Sequence, residues 1–145
     1  MTEQPTPTRP GMLTFLCILT FVGSGASSLA NLMLFAFFDS FRLVYEQGGL
    51  TLFAFSSEQE KLIELLLSAK PVYFLYQGLL YAVSLVGAVF MWNLNKKGIH
   101  FYAIGQIMLL IMQQIFMPSL PFPAFELLIA VLFIVLYARF LPVMK

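Results

Sequence analysis

The sequence predicts an all-α, polytopic membrane protein: four transmembrane helices plus a short amphipathic helix in the first loop. Three observations carry this. The 145 residues are 60% hydrophobic and only 10% charged, whereas a soluble domain is about 45–50% apolar and about 25% charged. Mean hydropathy is +0.88. The apolar residues gather in four runs, each near the roughly 20 residues that a helix needs to cross a bilayer. A chain this small cannot hide so much apolar surface in a core of its own, so the excess must face lipid. That excludes a soluble enzyme, a nucleic-acid binder and a disordered chain. With 8 Lys+Arg against 7 Asp+Glu, no basic excess attracts phosphate backbones.

The whole chain reads as a single membrane domain. Residues 1–9, with Pro5 and Pro7, form a flexible tail. The first span is the run 10–38, long enough at about 1.5 Å per residue to tilt or emerge into the interface. It also carries signal-peptide features, with Arg9 ahead of an apolar stretch and a small-x-small site at Ser28 and Ala30. The immediate return of apolar residues after Ala30 argues against cleavage. Cys17, the single cysteine, can close no internal disulfide and belongs to no metal-ligand spacing. Leu16 before it is too bulky for lipoprotein processing, so a small apolar core residue is the simplest reading.

Residues 39–71 make an extracytoplasmic loop. Gly48 and Gly49 mark a turn, and the short apolar run 50–55 reads as a re-entrant edge or interfacial anchor. A helix over 57–69 follows, opened by a capping box of Ser57 and Glu60. Leu62, Leu65, Leu66 and Ala69 form its apolar stripe, suited to the outer leaflet or to roofing the bundle. A lid or partner-docking helix is the alternative.

The second span covers 72–94 and begins just after Pro71, a residue at home in a first helical turn. The third covers 98–117 and stops at Pro118. The fourth covers 122–141, between Pro121 and Pro142. With four spans, Arg9, Lys96, Lys97, Arg139 and Lys145 share one side, and Arg42, Lys61 and Lys70 the other. That bias places both termini in the cytoplasm. Trp92, Lys96 and Lys97 then mark the inner membrane interface, with Tyr102 nearby and Tyr45 and Tyr73 at the outer one.

Polar residues inside the spans are the candidate site. Counting from the outer helix ends, Glu126 lies about 6 Å inward, Gln77 about 9 Å and Asn31 about 10 Å, with Gln113 near Glu126 in depth. Glu126 is the only acid in an apolar run, and so the default functional residue. Asn31, Gln77 and Gln113 are candidate donors to its carboxylate. A pocket for a proton, a cation or a polar headgroup is one outcome. An interhelical hydrogen-bond layer that only fixes packing is another. A carboxylate snorkelling to its own helix N-terminus is a third. Gln106 and Gln113, seven apart, share with Tyr102 the face of the third span that turns toward the bundle. Gly23, Ser24, Gly25 and Ser27 form a small-residue packing patch in the first span, and Gly87 serves likewise in the second.

Two stretches are familiar. Arg9, Pro10, Leu13, Thr14, Leu16, the run 17–21, Gly23, Ser24 and Gly25 form one. Met91, Trp92, Leu94, Lys96, Gly98 and Tyr102 form the other. In them the chain resembles a group of small four-helix inner-membrane proteins of Gram-negative bacteria, departing at Ile99 where the group has phenylalanine. The resemblance implies a bacterial inner-membrane location and four helices. It carries no activity.

No nucleophile–base pair or metal-ligand cluster is legible, and His100 falls on the opposite side of the bilayer from Glu126. The reading is therefore a non-enzymatic integral membrane protein without cofactors. Its expected role is an accessory or scaffold subunit whose partners are the lipid bilayer and other membrane proteins, or copies of itself. The alternative is a small oligomeric transporter or channel component centred on Glu126.

Overall fold

A computed structural model describes residues 8–49 and 56–145. Among them are six α-helices and no strand: α1 Gly11–Ala36, α2 Phe38–Glu46, α3 Ser57–Ser68, α4 Pro71–Trp92, α5 Lys97–Phe116 and α6 Ala124–Ala138. Three of these, α1, α4 and α5, are long and apolar enough to cross a membrane. α6 has 15 residues, about 22 Å of helix, which is less than the roughly 30 Å hydrocarbon core. Phe122 and Pro123 at one end of the expected run 122–141, and Arg139, Phe140 and Leu141 at the other, fall outside this helix. Pro123 precedes it, and a short 3-10 turn, Leu141–Val143, lies beyond its other end.

The expected first span also divides. Backbone angles at Phe37 leave the helical region, and α2 restarts at Phe38. Asp39, Arg42 and Glu46 bring charge into the following turns, so continuing straight into lipid would bury ions. A surface helix keeps them solvated, with Arg42 Nε donating to Glu46 Oε1 at 2.9 Å. Phe38, Phe41 and Tyr45, at helical spacing, are its less exposed residues. α3 forms over the expected stretch, but its cap is one residue earlier. Ser56 Oγ accepts from the Gln59 amide and Gln59 Oε1 accepts from the Ser56 amide. Of the anticipated stripe, Ala69 is buried and Leu65 packs beside it, whereas Leu62 and Leu66 remain exposed, with no helix along them among the described residues. The apolar run 50–55 and tail residues 1–7 lie outside the described residues.

α4 is the central helix, with α1 along one side and α5 along the other, while α6 leans on α5 and touches α1. Contact between α4 and α5 depends on absent side chains. A Cβ on Gly87 would lie 2.6 Å from the Tyr102 amide nitrogen and 2.7 Å from the Gly98 carbonyl oxygen. Gly98 faces Gly87 and Met91 in return, and Gly105 faces Ser84 Oγ. Gly78 makes the matching approach to Leu32 of α1. Ser24 and Ser28 are buried on α1, and Ser28 Oγ donates to the Gly78 carbonyl at 2.8 Å. Gly23, expected to pack, is exposed and has nothing within 4 Å of a Cβ, and Gly25 meets only Leu85 at 3.9 Å. Runs of small residues permit close approach but do not say which of them faces the partner.

Buried side chains form two apolar clusters, one toward each end of the bundle. Leu13, Leu16, Cys17, Ala88, Met91, Ile99, Tyr102, Tyr137 and Met144 make one, and Phe38, Ala69, Tyr73, Phe74 and Met117 the other. Tyr102 and Tyr73 are thus interior residues, not members of an aromatic belt. At the first end the Arg9 guanidinium lies 3.9 Å from the centre of the Trp92 ring, so Arg9 is pinned despite its place in the expected flexible tail. Lys96 and Lys97 are exposed beside it. Residue 145 pairs its backbone with Leu94 and Lys96 in the α4–α5 turn, where Leu94 takes a φ of 57°.

Candidate functional site

Glu126 sits in the first turn of α6. Positions 126, 129, 130, 133 and 137 share one face of that helix, since they are spaced by three or four residues. The face changes character along its length. Tyr137 and Ala130 are buried, but every residue from Ala124 to Ile129 is exposed. α6 is therefore docked at its Tyr137 end and stands off at its Glu126 end, leaving a wedge-shaped gap against the core.

The docked end is held by polar and aromatic contacts. The Tyr137 hydroxyl lies 2.7 Å from Thr20 Oγ1 of α1. Its ring meets Tyr102 of α5 edge-on, with centroids 5.3 Å apart. A bare hydroxyl in lipid would cost several kcal/mol, so this pairing lets a tyrosine occupy the core.

Two adjoining cavities fill the gap, each of about 220 Å³. The one toward Glu126 is lined by Tyr81, Gln106, Leu109, Leu110, Glu126 and Ile129. The other shares Tyr81, Gln106 and Ile129 with it and adds Leu19, Thr20, Gly23, Ser24, Ser27, Tyr102 and Phe133. Either is far larger than a single water requires. Tyr81 is in contact with Ser27 across the α1–α4 boundary. Gln106 Nε2 donates to Ser84 Oγ at 3.2 Å, and its carbonyl oxygen has no protein partner among the described residues. The Glu126 carboxylate likewise meets no hydrogen-bond donor or cation there, yet lies within electrostatic reach of the Tyr73 and Tyr81 hydroxyls. Polar groups thus run in a line from Glu126 through Tyr81 and Gln106 to Ser24 and Thr20.

The three amides expected around Glu126 do not converge on it. Asn31 Nδ2 donates to the Ser27 carbonyl of its own helix at 2.8 Å. Gln77 is buried and donates to the Tyr73 hydroxyl, also on its own helix, at 2.8 Å. Gln113 is half-buried and does not line the Glu126 cavity. Depth along a helix can be counted from sequence, but which amide turns toward α6 depends on rotations about four axes. Gln106 and Tyr81 take the expected place of the amides. The signal for Gln106 was present in its sharing a face with Tyr102, and Tyr81 is placed one turn beyond Gln77 on α4.

Chemically, the wedge offers one carboxylate, an amide carbonyl, two tyrosines and several hydroxyls against an apolar wall. No group of three or more His, Cys, Asp or Glu side chains suited to a metal exists among the described residues. Cys17 is fully buried beside Tyr137, and His100 is exposed near the Lys96 end. Compared with family models, with curated proteins and with solved structures, the chain matches none.

Proposed function

We propose that this is a multi-pass protein of the bacterial inner membrane that acts by binding, as an accessory or scaffold subunit with no reaction of its own. In this reading α6 is the fourth crossing, and the end bearing Arg9, Lys96, Lys97, Arg139 and Lys145 faces the cytoplasm. One observation carries the binding role. In the most apolar stretches of α1, α4 and α5, only 33%, 39% and 22% of the residues are buried within the chain. Phe15, Val22, Ile104 and Ile115 all project outward, which leaves broad faces for lipid and for other transmembrane helices.

Crosslinking in the native membrane, then purification in mild detergent and mass spectrometry, tests it. A recurrent neighbour, or a second copy of the chain, is expected. A lone monomer under every crosslinking condition rejects the subunit role. Topology is tested by placing a cysteine at Lys96 in a Cys17→Ala background, where labelling from the periplasmic side would reverse the orientation.

The linked cavities favour one second reading, a small oligomeric transporter or channel component in which Glu126 carries a proton or cation. Flux into liposomes separates the two. Transport by the wild type that is lost in Glu126→Gln selects the second reading, and flux equal to empty liposomes removes it.

A further inference from the structure

Partner binding on the outer faces leaves the wedge beneath α6 without a role. We propose that the wedge binds a ligand carrying a cationic amine on an apolar body, its ammonium on Glu126 and its hydrocarbon along Leu109, Leu110 and Ile129.

Charge is the first argument. Glu126 is the only acid in α1, α4, α5 and α6, and no Lys, Arg or His lines either cavity. The ion pair among the described residues, Arg42 with Glu46, lies on α2. A carboxylate at the edge of a low-dielectric space needs a cation or a proton to meet it. Donor and acceptor matching is the second. An ammonium group has three donors and no acceptor. The wedge presents the Glu126 carboxylate, the uncommitted Gln106 carbonyl and the Tyr81 phenol oxygen as acceptors, with one of the two Gln106 amide hydrogens given to Ser84. A phosphate or carboxylate ligand would face the Glu126 charge with no cation in either lining and be repelled.

Shape and access make the third argument. Leu109, Leu110 and Ile129 form an apolar wall beside the acceptors, which neither a hydrated metal ion nor a proton needs and a hydrocarbon tail does. Phe125 and Leu128, 74% and 64% exposed, have little protein over them among the described residues, so this face of the open end of α6 is uncovered. A ligand already dissolved in lipid therefore reaches Glu126 sideways, without crossing water. The site rests on α6 lying in the bilayer but not on any partner protein, so failure to find a crosslinked neighbour leaves it standing.

Ammonium on an apolar body comes from two sources, the headgroup of an aminophospholipid or a free hydrophobic amine. The test uses the full chain in phosphatidylcholine nanodiscs titrated with radiolabelled dodecylamine, with uptake by empty nanodiscs subtracted. Saturable binding at one site per chain is expected. Glu126→Gln should weaken it about tenfold or more, as loss of a charge-assisted contact does, and Glu126→Asp should weaken it less. Phe125→Ala, outside the cavity lining, should bind as the wild type. Ile129→Trp, which fills the cavity and keeps the carboxylate, should also reduce binding, so the result does not hang on one variant. Displacement of dodecylamine by added phosphatidylethanolamine identifies the lipid headgroup as the occupant, and its failure to displace identifies a free amine. Uptake no greater than that of empty nanodiscs overturns the proposal. So does saturable binding unchanged in both Glu126→Gln and Ile129→Trp.

Discussion

Thr20 Oγ1 and the Tyr137 hydroxyl, 117 residues apart in the chain, lie 2.7 Å from each other at the point where α6 docks on α1. This bond joins the last helix to the first, and Tyr102 of α5 packs edge-on against the same ring. Phe133, Ile134, Leu136 and Ala138 of α6 pack against the same core cluster, so the bond adds direction to an apolar dock. Tyr137→Phe keeps the ring and strands the Thr20 hydroxyl. The expected loss is about 1–2 kcal/mol, the usual cost of a broken interhelical hydrogen bond. Tyr137→Ala should cost about 3–5 kcal/mol by leaving a cavity as well. A double-mutant cycle of Thr20→Val and Tyr137→Phe, followed by thermal unfolding in detergent, measures the coupling. Strictly additive effects would show that the two hydroxyls do not interact.

Glycines separate into two kinds. Gly87 lies against the Tyr102 amide and the Gly98 carbonyl, both backbone groups that cannot swing aside. Gly87→Ala should therefore force α4 and α5 apart and destabilise by about 1–3 kcal/mol, the range for overpacking. Gly23, with open space around it, should accept alanine and gain up to about 1 kcal/mol from helix propensity. Unfolding of the two variants under identical detergent conditions should shift in opposite directions. Equal shifts would mean that the α4–α5 approach is looser than described.

These glycines also show how much the sequence revealed. The helical class, the three long apolar helices and the positions of α3 to α5 follow from hydrophobic runs and prolines, because lipid and helix geometry constrain run length. Gly87 was legible as a packing residue, but Gly98 and Gly105 were not, although they stand seven apart on one face of α5. Their significance depends on Ser84 and Gly87 lying opposite. The candidate site was legible in part for the same reason. A lone acid in an apolar run points to Glu126 without any structure, and its helical register with Tyr137 can be counted. That Gln106 and Tyr81 are its polar neighbours, instead of Asn31, Gln77 and Gln113, depends on helix rotation, which no periodicity in one chain fixes. The break at Phe37 was hidden because apolar residues continue through Phe38, and only the charges beyond them mark the turn.

The start of α3 offers a test at single-residue resolution. Ser56 with Gln59 and Ser57 with Glu60 both have capping-box spacing, and the chain uses the first. Ser56→Ala should remove the side chain that accepts from the Gln59 amide and cost the helix about 1 kcal/mol. Ser57→Ala should be close to neutral. Amide hydrogen exchange at Gln59 and Glu60 reads this directly: faster exchange in Ser57→Ala than in Ser56→Ala would move the cap by one residue. Glu60 remains in the first turn in either case, where the helix dipole favours an acid.

Trp92 is the only tryptophan in the chain, so its fluorescence reports on a single place. The Arg9 guanidinium lies 3.9 Å from its ring centre, and Phe21 of α1 packs on it with centroids 5.5 Å apart. The stack ties the segment before α1 to the end of α4. Cation–π contacts contribute about 0.5–1 kcal/mol where exposed and about 2 where desolvated. Trp92 is half-buried, so Arg9→Ala should cost about 1 kcal/mol and change both the emission maximum and the quenching of Trp92 by acrylamide. Arg9→Lys keeps the charge but loses the flat guanidinium that lies over the ring, and its spectrum should fall between the other two. An Arg9→Ala spectrum identical to that of the wild type would mean that Arg9 does not cover the ring.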